Sequence, residues 1–213
     1  MGSSLPRWAR WAIPPLLVPL AAMAWIGTHW DRIPLRYATH FDSNGRADGW
    51  TTRTPLHVFG IPIFAEGLTA ILIGLALAIW YGSRRPGRSS PMVKIPLAIA
   101  YLMGLVFSAV GLMPVVEIPV WPLAVMTPLL VLGLIVYVVR AQSEDADTSD
   151  NTPDQCWSMG GIYNNPEDPA LFVRARAGYG YTFNMANRRS YGILIGLLGG
   201  IGLLVGFLIW SMQ

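Results

Sequence analysis

The chain has 213 residues, enough for one domain or two small ones. Hydrophobic residues make up 53% and charged residues only 13%, about half the ~25% charged content of an ordinary soluble domain. That balance excludes a largely disordered chain and a water-soluble enzyme with one ordinary core. The single cysteine, Cys156, excludes an internal disulfide framework and a four-Cys zinc site. The formal charge of +3 says less than where the charges stand.

Five apolar stretches are long enough to cross about 30 Å of hydrocarbon as helices. They are Trp11–Gly27, His57–Tyr81, Met92–Met113, Pro119–Val139 and Tyr191–Met212. The first carries Pro14, Pro15 and Pro19, which bend or extend its inner end. It also resembles a signal peptide, with Arg7 and Arg10 before an apolar run and Ala22-Met23-Ala24 as a cleavage-like site. It is read here as a retained anchor. The expected fold is an all-α integral membrane protein with five transmembrane helices.

Orientation follows from Lys and Arg between the spans. One side collects Arg7, Arg10, Arg84, Arg85, Arg88, Lys94, Arg140, Arg174, Arg176, Arg188 and Arg189; the other has only Arg32, Arg36, Arg46 and Arg53. The expectation is N-in, C-out. Trp8, Trp11, Trp80 and Trp157 then mark the inner interface, and Trp25, Trp30, Trp50, Trp121 and Trp210 the outer one, because an indole is apolar with one N–H that prefers water. The chain divides into a four-span region 1–140 with an outer loop 28–56, an acidic linker 141–156, a cytoplasmic interfacial element 157–190, and a fifth span 191–213.

In the outer loop, Ile33, Leu35, Tyr37, Thr39 and Phe41 alternate with Arg36, Ala38 and His40, a period of two that predicts an extended segment. Asn44-Gly45 and Asp48-Gly49 are turn signals. A short hairpin-like cap over the helix ends is expected. All three histidines, His29, His40 and His57, lie in or beside this loop. With Asp48, His40 and His57 supply the imidazole and carboxylate donors that suit zinc or a similar divalent ion, though their spacing matches no established zinc signature. Asp42-Ser43-Asn44-Gly45 lacks the remaining acidic ligands of a calcium loop. The alternative is structural: His40 and Asp48 bond the turn backbone and Arg46 or Arg53. A peptide-contact role stays open beside both.

The residues Ile33-Pro34, His40-Phe41, Asn44-Gly45, Asp48-Gly49-Trp50, Arg53 and Pro55 resemble a bacterial domain of unknown function found in SdpI-type immunity membrane proteins. Those proteins protect cells from a secreted toxic peptide and participate in signalling. The resemblance implies a multi-pass protein of the bacterial cell membrane whose outer loop meets a peptide or envelope ligand, through Arg36, His40, Arg46, Asp48 and Arg53.

Glu66 lies nine residues beyond His57, about 13 Å along the second span. A carboxylate at that depth costs at least ~2.5 kcal/mol unless protonated, paired or facing a water-filled cavity. It is expected to point into the bundle and meet Arg53 or another outer-loop group, or to bond a neighbouring helix as a structural contact. Glu117 adds a carboxylate in the third loop. Lys94 sits near the end of its span and snorkels to the headgroups. A transporter is disfavoured, since ionisable residues are not distributed over several spans. In the fifth span Gly192, Gly196 and Gly200 form a small-residue stripe for close packing against another span or a second copy.

After the acidic run Ser143–Asn151, the segment Tyr163-Asn164-Asn165-Pro166-Glu167-Asp168-Pro169 forces turns. Leu171–Val173 and Tyr179–Phe183 then predict a small hairpin. The core of this segment resembles a second small domain of unknown function that follows bacterial membrane spans. Its aromatics, with Arg174, Arg176, Arg188 and Arg189, suit an anionic inner leaflet. No nucleotide or nucleic-acid signature accompanies it, and no histidine stands on this side to activate Cys156.

Three functions are therefore carried forward. The first is peptide binding and signalling of the toxin-immunity type. The second is a metal-dependent hydrolase, with His40, Asp48 and His57 holding a cation and Glu66 or Asp42 as base. The third is an accessory subunit that docks on a membrane partner through the glycine stripe.

Overall fold

The computed structural model describes residues 7–82, 91–116, 120–143, 152–159, 161–176 and 181–212. Helix α1 (Ile13–Thr28) follows a 3-10 turn at Arg7–Ala12. Then come α2 (Pro55–Gly82), α3 (Pro91–Leu112), α4 (Val120–Ser143) and α5 (Arg188–Ser211). Five helices among the described residues are long and apolar enough to cross a membrane. The protein thus has the helical make-up of a multi-pass membrane protein. Arg84, Arg85, Arg88, Glu117, most of the acidic run and Gly178–Gly180 lie outside the described residues.

Local chemistry sets the helix ends. Thr54 caps α2: its Oγ1 accepts from His57 N at 3.2 Å, and its carbonyl accepts from Val58 N at 3.0 Å. Pro55 follows at the first helical position, where a missing N–H costs nothing. Asn187 caps α5 in the same way, its side chain accepting from Arg189 N at 3.1 Å. At the start of α1 the Trp11 carbonyl has no helical donor, because Pro14 and Pro15 have no N–H. The Tyr101 hydroxyl of α3 donates to it at 2.8 Å instead.

Helices α1, α2 and α3 form the packed centre, with α4 on α3 and α5 on α2. Pro62 of α2 fits against Gly111 of α3, where a Cβ would stand 2.7 Å from Pro62 Cγ. The α2–α5 seam uses the glycines of α2: Gly60 faces Ser211 and Gly67 faces Leu204. The expected stripe on α5 does not make that seam. Gly200 touches Ile71, but a Cβ at Gly192 or Gly196 would meet nothing within 4 Å among the described residues. The reason is rotation about the helix axis: α5 turns Leu204 toward α2 and leaves those glycines on its outward face. Ile195 and Leu203 of α5, and Val125 and Leu132 of α4, are also exposed, as expected for helices whose outer faces meet lipid.

A hairpin of β1 (Arg36–Phe41) and β2 (Ala47–Thr52) joins α1 to α2. Ile33 and Tyr37 bury one side of it against Ile26 and Val58, next to Trp30, Phe59, Leu112 and Val115. Asn44-Gly45 forms the turn, with Gly45 at φ 76°, a conformation only glycine adopts without strain. Asp48-Gly49 does not turn; it lies inside β2, where Gly49 pairs with His40 at an irregularity in the register. A Cβ at Gly49 would stand 2.7 Å from His40 Cβ, so this glycine permits close approach rather than chain reversal.

The far end of α2 carries a second small element. It holds two short antiparallel pairs where one hairpin was expected: β3 (Trp157–Ser158) with β4 (Ile162–Tyr163), and β5 (Phe172–Arg174) with β6 (Tyr181–Phe183). A Tyr163–Asn184 bridge links them. Leu171 N donates to the Gly82 carbonyl at 2.9 Å. Phe172 packs with Ala76, Ile79 and Val93, flanked by Trp8, Trp80 and Phe183. The 28 residues of α2 therefore hold the two small elements about 42 Å apart.

Candidate functional site

The β1–β2 hairpin has one anchored side and one free side. On the free side Arg36, His40, Arg46, Asp48 and Trp50 are all exposed, and Trp50 keeps 51% of its surface in solvent. The Arg36 guanidinium lies 5.9 Å from the Trp50 ring centre, a cation–π contact between the two strands. His40 Nδ1 meets Asp48 Oδ1 at 2.5 Å. This pairing exists because the irregular register sets Asp48 beside His40. Among water-exposed groups such an ion pair adds little stability. It does fix the imidazole ring and leaves Nε2 as its unbonded nitrogen, as a carboxylate does for a base or a recognition residue.

The other expected donors are engaged elsewhere. Asp42 Oδ1 accepts from the backbone N–H groups of Asn44 and Arg46, each at 2.8 Å. Those bonds, Arg46 foremost, hold its carboxyl below the usual range. Asp42 thus braces the turn. His57 sits in the first turn of α2, where its Nδ1 lies 2.9 Å from the Thr52 carbonyl and 3.1 Å from Thr51 Oγ1. Thus the structure joins His40 to Asp48 but does not bring His57 to them. No group of three or more His, Cys, Asp or Glu is gathered as metal ligands among the described residues. His29 stacks on Trp25 at 4.0 Å between ring centres.

Arg53 does not dip toward Glu66. Its guanidinium donates to the carbonyls of Ile33 at 2.8 Å and Trp30 at 3.2 Å and lies over the Trp30 ring. It closes the base of the cap, so it is a structural residue of the hairpin rather than part of its free side. Glu66 stays in α2 with Oε2 buried and unpartnered; the hydroxyls of Thr69 and Ser108 are likewise buried and unpartnered.

In the second element Tyr163 and Asp168 of the polar motif are buried, whereas Asn164 and Glu167 are exposed. Asn184 is fully buried. Its Oδ1 accepts from Asn165 N at 3.0 Å and Ala186 N at 3.2 Å; its Nδ2 donates to the carbonyls of Asn165 at 2.8 Å and Asp168 at 2.9 Å. The Tyr163 hydroxyl donates to Asp168 Oδ2 at 2.9 Å and accepts from Asn165 Nδ2 at 3.0 Å. Arg176 pairs with Asp154 and the Thr152 carbonyl and stacks on Trp157. Residues from Thr152 onward therefore belong to this folded element rather than to a linker. In the sequence Asn184 is marked by little more than its place three residues before the Asn187 cap.

Residues 16–65 match the family described as a domain of unknown function (DUF1648), and residues 166–191 match a family of unknown function (DUF5808). The first match spans α1, the hairpin and the opening of α2; the second covers part of the buried polar motif and the start of α5. No curated protein and no solved structure matches the chain.

Proposed function

We propose that this protein is a multi-pass membrane receptor of the toxin-immunity type, which binds a peptide through the free side of its β1–β2 hairpin without covalent chemistry. The observation that carries the reading is the division of the hairpin. Ile33 and Tyr37 fasten it to the helices, while Arg36, His40, Asp48 and Trp50 are exposed and touch one another across the strands. An exposed Trp beside Arg is the composition of a binding anchor. Among the described residues each strand pairs with the other alone, and an extended peptide can add as a strand at the outer edge of such a two-stranded sheet. The DUF1648 match and the resemblance to SdpI-type proteins support the same class. With N-in, C-out insertion, as the Lys and Arg distribution favours, the hairpin faces outward in a bacterial cell membrane.

The test is photo-crosslinking in cells exposed to secreted peptides, with a photoreactive residue at Trp50 or, as control, at Ile195 on the lipid side of α5. A peptide adduct is expected at position 50 alone, reduced at least ~10-fold by Arg36→Ala, as befits loss of an anchor worth more than ~1.4 kcal/mol. Glu66→Gln should leave it unchanged. Equal labelling at both positions, or indifference to Arg36→Ala, would remove the binding role of the hairpin. Co-purification of another membrane protein that is lost on Gly196→Leu would favour the accessory-subunit reading instead.

A further inference from the structure

A groove of about 560 Å³ opens where the start of α1 meets α3 and α4. Lys94, Leu97, Ala98 and Tyr101 line it at helical spacings of three and four, so they form one stripe of α3. Arg10 and Trp11 of the 3-10 turn form a second wall, and Tyr137 of α4 a third. The Tyr101–Trp11 hydrogen bond ties the first two walls together, so the groove is held open by a fixed contact.

Its polar groups are of one kind. Arg10 lies over the face of Trp11, at 5.5 Å. Lys94 is exposed, and neither cation is in an ion pair among the described residues. Two cations, with no acid among the lining residues, ask for an anion. The remainder of the groove is apolar or aromatic. Lys94 stands in the first turn of α3, and Tyr101 lies about 10 Å further along, toward the middle of the bundle. Charge at the helix end and an apolar trough leading inward are the two halves of one lipid.

We propose that this groove is a binding site for one anionic phospholipid. Arg10 and Lys94 take the headgroup phosphate, and an acyl chain runs down the α3 stripe past Leu97 and Ala98 to Tyr101. The site is independent of the hairpin, and it assigns Lys94 more than snorkelling. Basic pockets between spans hold anionic headgroups in this way.

The test uses the full chain in detergent, equilibrated with mixed micelles of phosphatidylglycerol and phosphatidylcholine and read by native mass spectrometry. One phosphatidylglycerol per chain is expected, preferred at least ~10-fold, a difference of about 1.4 kcal/mol. Combined Arg10→Gln and Lys94→Gln should abolish the preference, whereas combined Arg188→Gln and Arg189→Gln, an equal change of charge outside the groove, should keep it. Ala98→Trp, which fills the trough without altering charge, should lower occupancy. Equal retention of both lipids by the wild type would overturn the proposal. So would a preference that survives the double substitution, or displacement of the lipid by inorganic phosphate alone.

Discussion

The two small elements at opposite ends of α2 use polar residues in opposite ways. In the β1–β2 hairpin the apolar residues face the helices, and His40, Asp48, Arg36 and Trp50 are left in water. In the element at the far end, Tyr163, Asp168 and Asn184 are buried and bonded to one another and to the backbone, while Phe172 and Phe183 dock on the helix ends. A run such as Tyr-Asn-Asn-Pro-Glu-Asp-Pro reads as a chemical motif, yet the side chains of Tyr163, Asn165 and Asp168 are spent on holding a fold with few apolar residues, while Asn164 and Glu167 stay exposed. Buried polar groups are nearly always paired, so a polar side chain is informative about binding only where it stays exposed. Arg36, His40 and Asp48 of the hairpin satisfy that condition; Tyr163, Asp168 and Asn184 of the far element do not.

The sharpest way to break this contrast is Asn184→Ala. It leaves two N–H groups and two carbonyls in a closed interior without their side-chain partner. At ~1–3 kcal/mol for each group stranded away from water, a loss of at least ~3 kcal/mol in the stability of the far element is expected. Hydrogen exchange over residues 152–188 measures it directly. Unchanged protection there would mean that docking on α2, rather than the polar network, holds the element. Peptide capture by the hairpin should be untouched, since the two lie at opposite ends of the bundle.

A smaller effect follows from the anchored side of the hairpin. Tyr37 is buried, and its hydroxyl is pushed from the ordinary 10.0 up to about 12 by loss of hydration. A pKa raised in the folded state means that the neutral form is favoured there. The contribution to stability is full below pH 10 and is lost as pH rises through about 12. Protection of the cap should therefore fall over that window. In Tyr37→Phe, which keeps the ring but cannot ionise, this step should be absent. If the variant and the wild type fall together, Tyr37 is not the group that ties the cap to alkaline pH.

How far these properties could be read from sequence depends on whether they are local. The five helices were legible because hydropathy integrates over about twenty residues, and α2 merely starts two residues earlier than expected, at the Thr54-Pro55 cap. The hairpin was legible from its period of two and from Asn44-Gly45, whose φ only glycine tolerates easily. Asp48-Gly49 misled because a glycine that admits a neighbouring Cβ looks the same in sequence as one that turns the chain. The partners of His57 and Arg53 were not legible at all. Both groups are consumed by backbone carbonyls, and no side-chain pattern announces a carbonyl. The outward face of Gly192 and Gly196 depends on the rotation of α5, which a spacing of four leaves open.

The smallest expected effect tests the free side itself. The side chains of His40 and Asp48 are 74% and 48% exposed, so solvent screens their attraction, and exposed pairs of this kind contribute about 0–1 kcal/mol. His40→Ala also keeps the Cβ that packs on Gly49, which leaves the register of the strands intact. Thermal unfolding of His40→Ala and Asp48→Asn should thus stay within about 0.5 kcal/mol of the wild type. A residue that contributes so little to stability, yet is oriented by a short carboxylate contact, is suited to recognition. The same two substitutions should then weaken peptide crosslinking at Trp50 while the fold is unaltered. A large loss of stability in either variant would place the pair among the structural contacts, alongside Arg53 and Asn184, and the two ends of α2 would no longer differ in kind.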